Sequence, residues 1–105
     1  MTVSYNSCRT IEDTILSVIS QANANFEHII IDGGSTDATQ SMLDKYRAHF
    51  SYVVVEKDNG IYDAMNKGIG LCSGDVICFL NSDDTFFDND VLSRVSLEFS
   101  NNFKV

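Results

Sequence analysis

Apolar positions along the chain switch between two periods. From Thr10 to Ala22, the residues Ile11, Ile15, Val18, Ile19 and Ala22 recur as one stripe of a helix, with Thr10 and Asp13 at capping-box spacing. His28-Ile29-Ile30-Ile31-Asp32 is a short β-branched run, the pattern of a strand buried on both faces. Gly33-Gly34-Ser35 turns the chain, and Ser35 or Thr36 is placed to cap a second helix that points Met42, Leu43, Tyr46 and Phe50 inward. Residues 52–56 read as the next strand, closed by Asp58-Asn59-Gly60. Ile61, Ala64, Met65, Ile69 and Cys72 form a third helical stripe, weakened by Gly68 and Gly70 and ended by Ser73-Gly74. Residues 76–80 predict another clear strand, followed by the polar patch Asn81-Ser82-Asp83-Asp84. Val91, Leu92, Val95 and Phe99 predict a last helix after Asp88, and Phe103-Lys104-Val105 begins a further strand. Thr2-Val3-Ser4-Tyr5, at the start, is a strand stub too short to cross a sheet.

Strand–helix alternation with short connections predicts an α/β fold, a mainly parallel sheet with helices on both faces. Ligands of such sheets bind outside the carboxyl ends of the strands. Asp32 ends one predicted strand, and Asp83 with Asp84 lies just beyond another. Parallel strands bring these acids to one edge.

Composition narrows the function. The 105 residues allow one domain, and 44% hydrophobic with 21% charged residues is an ordinary globular balance. A formal net charge of −8 opposes binding to a nucleic-acid backbone. An anionic ligand remains compatible if a divalent cation stands between it and protein carboxylates. Cys8, Cys72 and Cys78 form no CxxC pair, which fits a reducing compartment rather than a disulfide framework. The start has no signal-peptide layout, and no apolar run is long enough for a bilayer span, so a cytoplasmic chain is expected.

Three segments could carry chemistry. Asp83 and Asp84 repel one another, so they read either as a metal-binding pair for Mn²⁺ or Mg²⁺ or as a solvated loop with capping acids. Asp32-Gly33-Gly34-Ser35-Thr36-Asp37 matches neither a Walker A loop nor a dinucleotide fingerprint. Its glycines allow close approach of a ligand, and an aspartate ending an isoleucine-rich strand must be hydrogen-bonded or face a ligand. Asp63, Asn66 and Lys67 fall within little more than one helical turn, and either share a site or form an exposed face. Tyr5 could stack on a base or rim the core, whereas His28 and His49 lack metal-ligand spacing. There is no G-x-S-x-G elbow and no Cys/His pair.

Together these segments resemble the donor-binding half of a family 2 glycosyltransferase with the GT-A fold. The resemblance rests on four ordered motifs: Val3-Ser4-Tyr5-Asn6-Ser7; residues 30–37 around Asp32-Gly33; residues 58–68, Asp58-Asn59-Gly60 through Gly68; and Ser73-Gly74-Asp75 leading to residues 79–84. It implies a nucleotide-diphosphate sugar donor, a saccharide or lipid-linked acceptor, and a divalent metal bridging the diphosphate to the protein. Asp84 matches the metal-ligating acid and Asp83 its neighbour. Tyr5 matches the residue packed on the base, Asp32 and Gly33 lie in the base-binding stretch, and Asp63 and Asn66 fall in the third motif. The chain departs from the family pattern at Gly33, where a second acid is common, and at Asn81, where a third acid is common. The resemblance further implies an incomplete fold, its first and central strand shortened, its acceptor half and general base beyond Val105. Homodimerisation over an open sheet edge and peripheral association with the cytoplasmic face of a membrane stay open. The alternatives are a receiver-like signalling module with an acidic Mg²⁺ pocket, for which an acid pair after the first strand is missing, and an inactive fragment.

Overall fold

Alternating burial on the two faces of one strand organises the molecule. The structure is a computed structural model, and it describes residues 1–22, 24–57, 59–72 and 76–102, with the side chains at 61 and 98–102 left aside. The order is β1 (Thr2–Ser4), α1 (Ile11–Ile19), β2 (Ile29–Asp32), α2 (Thr39–Lys45), a 3₁₀ turn (Arg47–His49), β3 (Tyr52–Val55), α3 (Ile61–Leu71) and α4 (Val91–Asn102). The three strands form one sheet in the order β1-β2-β3. All pairs are parallel, with Ser4 opposite Asp32 and Asp32 opposite Val55.

Every residue of β2 is buried, as its β-branched run requires. Ile30 points to one face and joins Ile11 and Ile15 of α1 and Leu43 of α2 in a core edged by Met42, Tyr46 and Phe50. Ile29 and Ile31 point to the other face, against Ala64 of α3, with Met1, Val3 and Val54 around them. Helices therefore cover both faces, and the sheet is doubly wound. Glu12 of α1 ties the first two helices together, accepting from Lys45 Nζ at 3.0 Å and Tyr46 Oη at 2.7 Å.

Three local expectations change. Thr10 makes no capping bond to α1; its hydroxyl donates to Ser82 O instead. Neither Ser35 nor Thr36 caps α2, which starts later, at Thr39, whose N–H donates to Asp37 Oδ1 at 2.9 Å. Ser35 is already engaged with Asp32 and Asn6. Residues 76–80 are extended but form no strand. They meet the sheet only at Met1, whose nitrogen donates to Cys78 O at 2.7 Å and whose carbonyl accepts from Leu80 N at 2.9 Å. Val76 and Phe79 stay exposed, so the segment lacks the two-sided burial that a strand inside a parallel sheet has. The segment still lies beside β1 on the side away from β2, so the sheet reverses its winding there. Ser73-Gly74-Asp75, Asp58 and the proposed strand at residues 103–105 lie outside the described residues.

Candidate donor-binding cleft

At the carboxyl ends of the strands the chain opens into a cleft of about 640 Å³. Its walls are built from the residues after β1 (Tyr5, Ser7), after β2 (Gly33, Gly34), after β3 (Lys57, Gly60) and after the extended segment (Asn81, Ser82, Asp83). This is where a doubly wound sheet receives a ligand.

Asp32 organises the floor without facing the cleft. Its carboxylate is fully buried. Oδ1 accepts from Ser4 Oγ at 2.7 Å and Ser35 Oγ at 2.6 Å, while Oδ2 accepts from the N–H of Gly34 at 3.1 Å and of Ser35 at 2.8 Å. Four donors satisfy a charge that isolated burial would forbid. The turn this enforces puts Gly34 at φ +85°, where a side chain is strained. The neighbouring loop locks on: Asn6 N–H donates to Ser35 Oγ at 2.8 Å, and Asn6 Oδ1 accepts from Thr36 N at 2.8 Å. Asn6 itself sits at φ 48°, a region that asparagine tolerates better than most residues. Asp37 accepts from Thr39 N and Cys8 N, and hydrogen bonding by the Thr39 side chain foremost, then by the Thr39 backbone and by Cys8, holds its carboxyl down at about 2.

The acid pair stands on the opposite wall. Asp83 lines the cleft and Asp84 follows it, both exposed. Asp84 N–H donates to Asn81 O at 3.0 Å, and Thr14 Oγ1 donates to Asp84 O at 2.6 Å, so the loop is held by its backbone. Among the described residues no basic side chain pairs with either carboxylate. No group of three or more His, Cys, Asp or Glu is gathered to cage a metal among the described residues. Two unpaired carboxylates on a cleft rim nevertheless suit Mn²⁺ or Mg²⁺, which usually take one or two carboxylates and complete their shell with substrate phosphates and waters.

The structure thus brings Tyr5, Gly33 and Asp83 into one cleft, with Asp84 adjacent. It does not bring Asp63 or Asn66 into the wall. Asp63 Oδ2 accepts from Asn59 N at 2.9 Å and pairs with Lys67 at 3.7 Å, which braces the corner carrying Gly60 (φ +110°). Asn66 is exposed on α3. Lys57 was missed by sequence reasoning, having no motif around it; it lines the cleft and makes no ion pair among the described residues. Ser4 was missed as well, and only its pairing opposite Asp32 reveals it.

A solved structure of this shape is a mannosyltransferase from Pyrobaculum calidifontis in complex with GDP-Man and Mn²⁺, which superimposes with a TM-score of 0.85 at 20% identity, covering 94% of this chain and 31% of that one; the shared fold is GT-A. The family model for glycosyl transferase family 2 matches residues 1–104, and this chain belongs to that family. It is 41% identical over 95 residues to an uncharacterized glycosyltransferase of Mycobacterium tuberculosis, covering 90% of this chain and 36% of that one. It is 39% identical over 89 residues to TuaG of Bacillus subtilis, named for teichuronic acid biosynthesis, covering 80% of this chain and 34% of TuaG. The chain therefore spans about a third of the length of the curated relatives it matches. Among the described residues no helix is long and apolar enough to cross a membrane.

Proposed function

We propose that this chain is the donor-binding part of a glycosyltransferase that moves a sugar from a nucleotide-diphosphate donor to the hydroxyl of a saccharide or lipid-linked acceptor in cell-envelope glycan synthesis. The observation carrying this reading is the cleft at the switch point beside β1, which joins Tyr5, the Gly33-Gly34 turn and the aspartate rim. The donor classes of the solved neighbour and the envelope-directed name of TuaG support it.

Tyr5, exposed at the end of β1, offers a ring face on which the base stacks. Gly33 and Gly34 let the backbone approach the nucleoside, with Asp32 as the buried clamp that fixes the turn rather than a direct contact. Lys57, a lining residue of the cleft, would offer its ammonium to the diphosphate. Asp84 and Asp83 would hold Mn²⁺ or Mg²⁺, whose chemistry is to offset negative charge on the departing nucleoside diphosphate. Asp63 supports the Gly60 corner. None of these acids is assigned the general base that deprotonates the acceptor hydroxyl; that group and the acceptor side belong to the portion of the relatives' length that this chain does not span.

Calorimetric titration of the chain with UDP and with GDP, with and without Mn²⁺, tests the reading. Binding of one of them is expected to require the metal, and Asp84→Ala to weaken it at least about tenfold, the loss of roughly one charge-assisted contact. Metal-independent binding, or an Asp84→Ala chain that binds like the wild type, would overturn it.

A further inference from the structure

One flank of α1, beside its isoleucine stripe, carries uncharged polar side chains, each of them engaged in a hydrogen bond. Ser7, Thr10, Thr14, Ser17 and Gln21 recur at alternating steps of three and four along the sequence, the spacing of a single line on a helix and its flanks. They meet the segment beyond residue 80 in chain order, at Ser82, Asp84, Phe86, Asp88 and Leu92. Ser7 Oγ lies 2.6 Å from Ser82 Oγ, and Thr10 Oγ1 donates to Ser82 O at 2.8 Å. Thr14 Oγ1 donates to Asp84 O at 2.6 Å. Ser17 Oγ accepts from Phe86 N at 3.2 Å. Gln21 Nε2 donates to Asp88 O at 2.7 Å, and its Oε1 accepts from Leu92 N at 3.0 Å.

Residues 82–90 have no ladder or helix to satisfy their backbone. The side chains of α1 take that place, in order, from the cleft rim to the start of α4. Their chemistry matters as much as their spacing. From Thr10 onward, hydroxyls and an amide grip the loop by its carbonyl and N–H groups and, among the described residues, leave the Asp83 and Asp84 side chains without an ion pair, whereas a lysine or arginine on this line would pair with them. Thr14 is fully buried, so its bond to the Asp84 carbonyl is shielded from competing water.

The geometry points to this hydroxyl line, Thr10 and Thr14 above all, as the positioning element that sets where Asp83 and Asp84 stand for a divalent cation. Thr10 and Thr14 touch neither donor nor metal; they act through the backbone of the acids. The metal part rests on the reading under Proposed function, whereas the strapping of the loop stands on the hydrogen bonds alone.

The test uses the 105-residue chain with Thr14→Val, Thr14→Ser and Thr10→Val, two readouts, and a thermal melt as a check of folding. Amide hydrogen exchange at Asp84 and Phe86 is followed without metal, and Mn²⁺ uptake is followed by loss of the free-ion EPR signal. Thr14→Val and Thr10→Val are each expected to speed exchange at Asp84 about five- to tenfold and to weaken Mn²⁺ binding about fivefold, the effect of one lost hydrogen bond. Exchange in β2 stays unchanged, and Thr14→Ser, which keeps the donor, returns both readouts to within about twofold of wild type. Unchanged exchange at Asp84 in the folded variants, or failure of Thr14→Ser to restore it, overturns the proposal. If Thr14→Val does not fold, Thr10→Val at its exposed position decides. A wild-type chain that takes up no Mn²⁺ while the loop exchange responds as expected sinks the metal reading and upholds the strap.

Discussion

Asp32 and His28 sit at the two ends of the same isoleucine run, and burial treats them oppositely. Asp32 is accommodated inside because four donors surround its carboxyl oxygens. Its place at a strand end was legible in the sequence, and so was the need for partners. Which partners was not, because Ser4 arrives from 28 residues away through parallel pairing. His28 has Thr2 Oγ1 2.9 Å from Nε2, an edge-on contact with Phe50, and a buried Nδ1 without a hydrogen-bond partner among the described residues. Burial pushes its pKa from 6.5 down to about 3. The folded state therefore holds the imidazole neutral while the unfolded chain takes up a proton below pH 6.5. Stability contributed by the neutral form is present above that value and is lost as pH falls toward 3. Between pH 7.5 and 5 this amounts to about 2 kcal/mol by linkage. Urea unfolding at the two pH values should show that loss in the wild type and a smaller one in His28→Gln. Equal losses in both would remove His28 as the cause.

At the scale of elements, the periodicities carried most of the fold. The β-branched run gave β2, and the apolar stripes gave α1 and α3, because these signals follow from burial of whole faces. The capping residues were misassigned for a local reason: Ser35 and Thr10 have hydroxyls that tertiary partners claim first. The polar line on α1 was present in the sequence at helical spacing, but its meaning depends on a segment about 70 residues away. The turn between β2 and α2 offers a direct check. Gly34 has φ +85°, and a Cβ there would stand 3.6 Å from the Lys57 backbone, in ordinary contact. Strain in the left-handed conformation, rather than a clash, should make Gly34→Ala about 1–2 kcal/mol less stable in denaturant titrations. A neutral or stabilising substitution would show that the turn relaxes freely.

At the scale of the molecule, the acid excess makes the cleft selective in its route to an anion. On the proposed function, a chain of formal charge −8 would gather a diphosphate only where a cation offsets that field; Lys57 and Asp83 line the cleft, and among the described residues Asp83 and Asp84 make no ion pair. The sequence placed Asp32 and the Asp83-Asp84 pair at one edge of a sheet; in the structure Asp83 lines the cleft, Asp84 follows it in the chain, and Asp32 is buried behind the Gly33-Gly34 turn that also lines it. The sequence could not show that the loop carrying the pair is strapped by the polar side chains of α1 and its flanks. The most direct test of the donor cleft is paramagnetic broadening of amide NMR signals on adding Mn²⁺ with UDP or GDP to the chain. Broadening centred on Ser82, Asp83 and Asp84 and extending across the cleft to Tyr5, Gly33 and Gly34 is the predicted result; broadening centred instead on Asp88 and Asp90 beside Arg94, or spread evenly over the surface, would contradict it.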